Sequence, residues 1–341
     1  MKPNHKVLVT GAGGFLGLRL VKALRLQGHT VHTLQRQSYP ELQGDDGVRN
    51  FIGSIENKND LKKALDGVDV VFHVASKIGM WGDYQDFYRT NVLGTTNIIA
   101  MMKELNIKYL IYTSTPSVVF DRGNIENGNE TLPYPKTHLN FYGETKKLAE
   151  VEVLNAHDDQ FITAAIRPHL IFGPGDKQLI PRVIQAHRQG RLKIIGDGNN
   201  LVDVSYIDNV VDAHLDLYHQ MLRDPTKVNG KAYFIGQNEP VKLWDFTNTI
   251  MSGIGLQKLE KKVPTSLAYF IGAILEGIFK ILRIKHIDPP MTRFVALQLG
   301  KSHYFSHTRA LEDFGHSPKI GTEEGLKRLI DDYRSGKAHI L

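Results

Sequence analysis

Apolar residues along this chain fall in short unbroken runs, and the stretches between them carry helical spacing. That pattern predicts strands buried on both faces, alternating with helices. The strand-like runs are 7–10, 30–34, 50–52, 69–74, 108–114 and 161–167; helical patterns fall at 15–26, 58–65, 84–105 and 141–157. Such alternation predicts an α/β fold with a Rossmann-type doubly wound parallel sheet. Right-handed crossovers then bring the C-terminal end of every strand to one edge, where ligands bind. From Phe172 onward the regularity fails. Gly173-Pro174-Gly175 and Gly196-Asp197-Gly198 read as loops, and 202–206 and 231–235 as strands returning to the first lobe. The expected division is a nucleotide-binding lobe over 1–171, with returning segments near 201–237. A smaller, mostly helical substrate lobe is expected from 172–200 and 238–341.

One apolar stretch of that second lobe, 266–282, is interrupted only by Glu276 and Lys280 at i,i+4 spacing. A membrane span needs about 20 mostly apolar residues, and this stretch is shorter and charged. Three readings stay open: a helix covering an apolar substrate pocket, a helix lying in a membrane interface, and a true span.

The first strand breaks into Gly11-Ala12-Gly13-Gly14-Phe15-Leu16-Gly17, with Gly11, Gly14 and Gly17 at G-x-x-G-x-x-G spacing. A strand turning sharply into a helix needs a backbone conformation that glycine supplies. Gly14 allows close approach of a phosphate, and Gly17 allows the helix to pack on the strand. Phe15 and Leu16 open a helix whose free N–H groups and positive dipole end point at the anion. The context of strand, loop and helix makes this a dinucleotide site.

Tyr142 and Lys146 lie at i,i+4 spacing and therefore on one helix face. A free phenol titrates near pH 10. An adjacent ammonium would favour the phenolate and make the tyrosine an acid–base catalyst. Upstream, a strand ends in Thr113-Ser114-Thr115. A hydroxyl at the C-terminal edge of a sheet can hydrogen-bond a substrate carbonyl and stabilise a developing alkoxide. Gly-rich loop, hydroxyl triplet and Tyr/Lys pair together predict hydride transfer. At the end of the second strand stand Gln35 and Arg36. An NAD site usually carries a carboxylate there for the ribose 2′-OH. Glutamine does not repel a 2′-phosphate and arginine can pair with it, so NADP is expected, with NAD the alternative.

Composition narrows the field only modestly. The chain has 341 residues, 41% hydrophobic and 23% charged, which describes an ordinary folded protein. Its 42 basic and 36 acidic residues give +6, but the cations are dispersed, so nucleic acid is not an expected partner. Cysteine is absent, which excludes disulfides, thiolate metal sites and cysteine nucleophiles. The 15 histidines are scattered without ligand spacing, and no metal site is expected. The first strand begins near Lys6, leaving no room for a signal peptide, so a cytoplasmic protein is expected, peripheral to a membrane if 266–282 is interfacial.

Over nearly its full length the chain resembles the extended short-chain dehydrogenase/reductases, and within them the 3β-hydroxysteroid dehydrogenase group. The blocks 164–174 and 196–203 are similar to those of sterol-4α-carboxylate 3-dehydrogenases and of bacterial 2-alkyl-3-oxoalkanoate reductases, which act in long-chain olefin biosynthesis. Segments 77–84 and 112–118 look more like the latter. The resemblance implies Tyr142 as proton donor and acceptor, Lys146 as its partner and Thr115 as the substrate-orienting hydroxyl. Serine usually fills that third position, so Ser114 is a second candidate. It further implies cofactor contacts from Thr113, from His73, Val74, Ala75 and Ser76 at a strand end, and from Pro168 and Ile171. Asn91 matches an asparagine that supports the site. Ser54, beside Ile55, stands where the family usually has an aspartate for the adenine amine. His169 is either a substrate contact or a hydrogen-bonded structural histidine. The implied substrate is large and apolar, a 2-alkyl-3-oxoacid first and a 3β-hydroxy steroid or sterol second, and the implied assembly is a homodimer. A nucleotide-sugar epimerase or dehydratase, or a non-catalytic cofactor-binding interaction protein, are the remaining alternatives; intact Tyr142 and Lys146 speak against the last.

Overall fold

The computed structural model describes residues 4–336; the last five residues of the expected second lobe lie outside the described residues. Seven parallel strands form the central sheet: β1 (Lys6–Thr10), β2 (Thr30–Gln35), β3 (Val48–Ile52), β4 (Val70–His73), β5 (Tyr109–Thr113), β6 (Ile162–Pro168) and β7 (Lys231–Ile235). Their order across the sheet is β7-β6-β5-β4-β1-β2-β3, so the connection reverses direction between β1 and β4. A crevice opens at such a reversal, outside the carboxyl ends of the strands. The strands read as continuous apolar runs because both faces are covered. Val7 and Val9 enter one core with Phe72, Ile111 and Ile166, while Leu8 enters the other with Leu34, Val71 and Leu110.

Helices cover both faces. Helix α1 (Phe15–Leu26) packs beside Ile207–Arg223, a helix within the stretch read as returning strands. Of those expected strands, 231–235 joins the central sheet as β7. Residues 201–206 do not join it. Leu201–Val202 belongs to a separate four-stranded sheet with Ile125–Gly128, Val241–Lys242 and His303–Phe305, and Ser205–Tyr206 pairs with Ile171–Phe172. The pattern at 84–105 is one continuous helical stretch with a π-helical segment inside it. It runs as Tyr84–Phe87, a π-helical segment Tyr88–Leu93 and an α-helix Gly94–Glu104. Helix α2 (Phe141–Asn155) follows, N-capped by the Asn140 side chain on the Gly143 N–H at 2.9 Å.

In the second lobe, helix α3 (Thr265–Ile281) packs on Arg293–Gly300. Only Ala268, Gly272 and Glu276 of α3 are buried, a stripe at i,i+4 spacing. Small residues let the backbones approach closely: a Cβ at Gly272 would lie 2.6 Å from the Thr292 carbonyl carbon. Glu276 is satisfied there by the Arg293 N–H at 2.7 Å and its guanidinium at 2.8 Å.

Candidate active site

A cavity of about 980 Å³ opens at the carboxyl ends of the strands and extends into the second lobe. Its first wall is the glycine loop. Gly11 takes φ +69°, and a side chain there would press on the Ala75 backbone at 2.8 Å. At Gly17 a Cβ would collide with the Gly11 carbonyl, so only glycine lets α1 lie this close to the turn. Gly14 begins α1 with no side-chain cap and no acidic residue in the first turn, which leaves the helix N-terminus open to an anion. Phe15, Leu16, Val74, Ala75, Ser76, Pro168 and Ile171, all expected to touch the cofactor, line the same cavity.

At the end of β2, Gln35 is buried and its Oε1 has no hydrogen-bond partner. Arg36 beside it is exposed and has no acidic partner among the described residues; both line the cavity. Ser54 and Ile55 line it too. Ser54 Oγ accepts the Glu56 N–H at 3.2 Å, and Glu56, which the sequence reading missed, also reaches the wall. Tyr39 was equally illegible: its ring lies against Gly13, and it comes from a loop without periodicity.

The hydroxyl triplet resolves into three directions. Thr113 Oγ1 meets Nε2 of the buried His214 at 2.8 Å, below the sheet. Ser114 is buried, and its Oγ has no hydrogen-bond partner among the described residues. All three residues border the cavity, and Thr115 is the one whose hydroxyl eases the Tyr142 phenol downward. Ser117, whose Oγ lies 3.3 Å from the Thr115 hydroxyl, adds a further polar group to the wall.

Burial pushes the Tyr142 phenol up to about 12, and the Thr115 hydroxyl is the group that opposes it. Burial pushes the Lys146 ammonium down to about 7, and Glu150 opposes that. The lysine donates to the Thr113 carbonyl at 2.6 Å and lies 4.0 Å from the centre of the Tyr112 ring. One turn farther along α2, Glu150 is fully buried and paired with Arg167 at 2.6 Å, with the Tyr134 hydroxyl donating at 2.7 Å. The sequence reading missed Glu150. Its signal was present: an acid at i+4 from Lys146, on the face that α2 turns inward.

Two expected cofactor contacts, His73 and Asn91, lie behind the wall and do not border the cavity. His73 is fully buried between the hydroxyls of Thr10 and Thr95, each 2.9 Å away, and burial lowers it to about 3, so the ring is neutral. Asn91 accepts the Lys77 N–H at 2.7 Å and donates to the Lys77 carbonyl and the Thr145 hydroxyl, both at 3.0 Å. It ties the strand end after β4 to α2. His169 is hydrogen-bonded, as the structural reading of it has it, and it also borders the cavity. Its Nε2 lies 2.7 Å from His303 Nδ1, and His303 Nε2 donates to the Gln298 carbonyl at 2.8 Å. That carbonyl fixes the His303 proton on Nε2, so His169 is the donor of the pair. Burial lowers both rings below the ordinary histidine value.

The far wall is apolar, built from Leu179, Val183, Leu192, Leu243, Trp244, Phe246 and Ile250. Residues 265–282 contribute nothing to it. Helix α3 is therefore not the expected pocket cover: its large apolar side chains face outward because its packing stripe is made of small residues and Glu276. Among the described residues no helix is long and apolar enough to cross a membrane, which removes the spanning reading.

The 3-beta hydroxysteroid dehydrogenase/isomerase family matches residues 8–266. A 2-alkyl-3-oxoalkanoate reductase of Stenotrophomonas maltophilia (strain K279a) is 43% identical over 95% of this chain and 98% of its own length. A decarboxylating sterol-4-alpha-carboxylate 3-dehydrogenase of Mus musculus is 37% identical over 96% of this chain and 91% of its own. A UDP-glucuronic acid 4-epimerase from Bacillus cereus, solved with NAD, has the same fold at 22% identity, with a TM-score of 0.74 over 97% of this chain and 99% of that one. The chain belongs to the 3-beta hydroxysteroid dehydrogenase/isomerase family and is a nicotinamide-dependent oxidoreductase acting on CH–OH groups.

Proposed function

We propose that this family member uses NADP(H) to reduce the ketone of a 2-alkyl-3-oxoalkanoate to the 3-hydroxy acid. The observation that carries the reading is a single cavity lined both by the Gly-loop, Tyr142 and Lys146 and by the apolar wall of the second lobe. The open N-terminus of α1 suits a pyrophosphate, and Arg36, without an acidic partner among the described residues, suits a 2′-phosphate, while the partnerless Gln35 Oε1 can accept from a ribose hydroxyl. When bound, the reduced nicotinamide supplies the hydride. Tyr142 gives its phenolic proton to the carbonyl oxygen, and Thr115 donates a hydrogen bond to the same developing alkoxide. Burial raises that phenol, so it carries its proton at neutral pH and can donate it. Lys146, held on the Thr113 carbonyl, orients the cofactor ribose.

A second reading, oxidation of a 3β-hydroxy steroid or sterol, draws on the same apolar wall and on the similarity to the mouse sterol enzyme. The exposed Leu93 and Leu148, on neighbouring packed segments, support the expected homodimer, which sedimentation of the purified chain tests. The reductase reading is tested by following nicotinamide absorbance with an oxo acid, a steroid and a UDP-sugar. Turnover of the steroid alone would transfer the assignment to the second reading.

A further inference from the structure

Helix α3 presents an apolar stripe that nothing covers among the described residues. Leu267, Phe270, Ile271, Ile274, Ile278 and Ile281 recur at i, i+3, i+4, i+7, i+11 and i+14, on the side opposite Ala268, Gly272 and Glu276. Their exposure runs from 41% for Ile271 to 81% for Ile281. A contiguous patch of this kind on a folded chain marks an interaction surface.

The surrounding charge says what covers it. Lys258, Lys261 and Lys262 precede the helix, with Glu260 the one acid among them, and Lys280, Arg283 and Lys285 close it. Lys285 is paired with Asp83 at 2.6 Å, while Lys280 and Arg283 have no acidic partner among the described residues. Two copies of α3 packed face to face, in either orientation, would bring cations against cations. An anionic headgroup layer neutralises both ends at once, and the apolar stripe enters the acyl boundary between them.

The stripe also adjoins the entrance to the active site. The Trp81 ring packs edge-on against Phe279 at 6.1 Å, and its indole N–H donates to the Ile284 carbonyl at 2.7 Å. That fastens the segment 79–83 to the C-terminal end of α3. Beside it Ile78 and Met80 are exposed and line the cavity. We propose that the outward face of α3 docks in the plane of an anionic phospholipid bilayer, and that the cavity draws its apolar substrate from that bilayer past Ile78 and Met80. The source of the substrate rests on the reductase reading; the docking does not.

Flotation of the full chain with vesicles of equal parts phosphatidylcholine and phosphatidylglycerol, against pure phosphatidylcholine, tests this. Wild type should float with the anionic vesicles and release in high salt. The exposed-face variant Phe270→Ser/Ile274→Ser/Ile278→Ser should lose binding by roughly tenfold or more. It should keep the wild-type circular dichroism and its turnover of a short, water-soluble oxo acid, and lose turnover of a long-chain oxo acid held in vesicles. Lys280→Gln/Arg283→Gln should weaken anionic binding alone. Wild type that ignores anionic vesicles, or a triple variant that binds as wild type does, would overturn the docking. So would a triple variant whose only change is dissociation of a lipid-free dimer, since a second copy would then cover the face. Normal vesicle binding without any oxo acid turnover would sink the reductase reading and leave the docking standing.

Discussion

Helices α2 and α3 depart from ordinary helix patterning in opposite senses. Helix α2 buries Thr145, Lys146 and Glu150 against the sheet, while α3 turns Phe270, Ile274 and Ile281 to the outside. The buried charges of α2 are tolerated because each has a partner: Lys146 the Thr113 carbonyl, Glu150 the Arg167 guanidinium. Burying a charge costs several kcal/mol unless it is paired. The apolar face of α3 has no such compensation among the described residues. A satisfied departure is held within the fold; an unsatisfied one points to something that still has to cover it.

The sharpest way to break the first half of that comparison is Tyr142→Phe. Folding should survive, and turnover should fall by about 10²–10⁴, the usual contribution of a positioned proton donor. A variant retaining half the wild-type rate would remove the phenol from the mechanism. Glu150→Gln should cost about 3–5 kcal/mol of stability in urea unfolding, because it leaves Arg167 as an uncompensated buried charge. A loss below about 1 kcal/mol would mean that the pair is not buried as described.

Arg36→Ala should weaken NADP(H) by about 1.5–3 kcal/mol, the range for hydrogen bonds to a charged group, and leave NAD(H) nearly unchanged. Gln35→Asp should shift preference toward NAD; titration of both cofactors decides, and equal losses would refute an NADP site. The effect that is smallest per pH unit is a pH dependence. Lys146 is held near 7 when folded, against 10.5 ordinarily, so between those values the unfolded chain binds the extra proton. Stability should therefore rise with pH across that window, by at most about 1.4 kcal/mol per unit, relative to Lys146→Met. A difference that does not change with pH would place the lysine in water.

What was legible in the sequence was local. Gly11 to Gly17, and Tyr142 with Lys146, act over single turns, so their spacing carries their geometry. The seven-stranded sheet followed from long buried runs. The small sheet joining 125–128, 201–202, 241–242 and 303–305 did not, because strands of two to four residues have no periodicity to read. The π-helical segment at Tyr88–Leu93 kept an apolar pattern and so did not stand out from the helix around it. Glu150 and Arg167, or His169 and His303, meet from 17 and 134 residues apart, and nothing in either segment names its partner. The sequence left α3 open between a pocket cover, an interfacial helix and a span because hydrophobicity alone does not say which side of a helix packs. The small residues at 268 and 272 decide it.

The most direct test of the account is nicotinamide oxidation by wild type across a series of 2-alkyl-3-oxoalkanoates of rising chain length. Each methylene buried against the apolar wall contributes about 0.8 kcal/mol, so KM should fall about fourfold per carbon until the wall is filled, with NADPH preferred and Tyr142→Phe inactive throughout. Chain-length indifference combined with rapid turnover of a steroid or a UDP-sugar would contradict it.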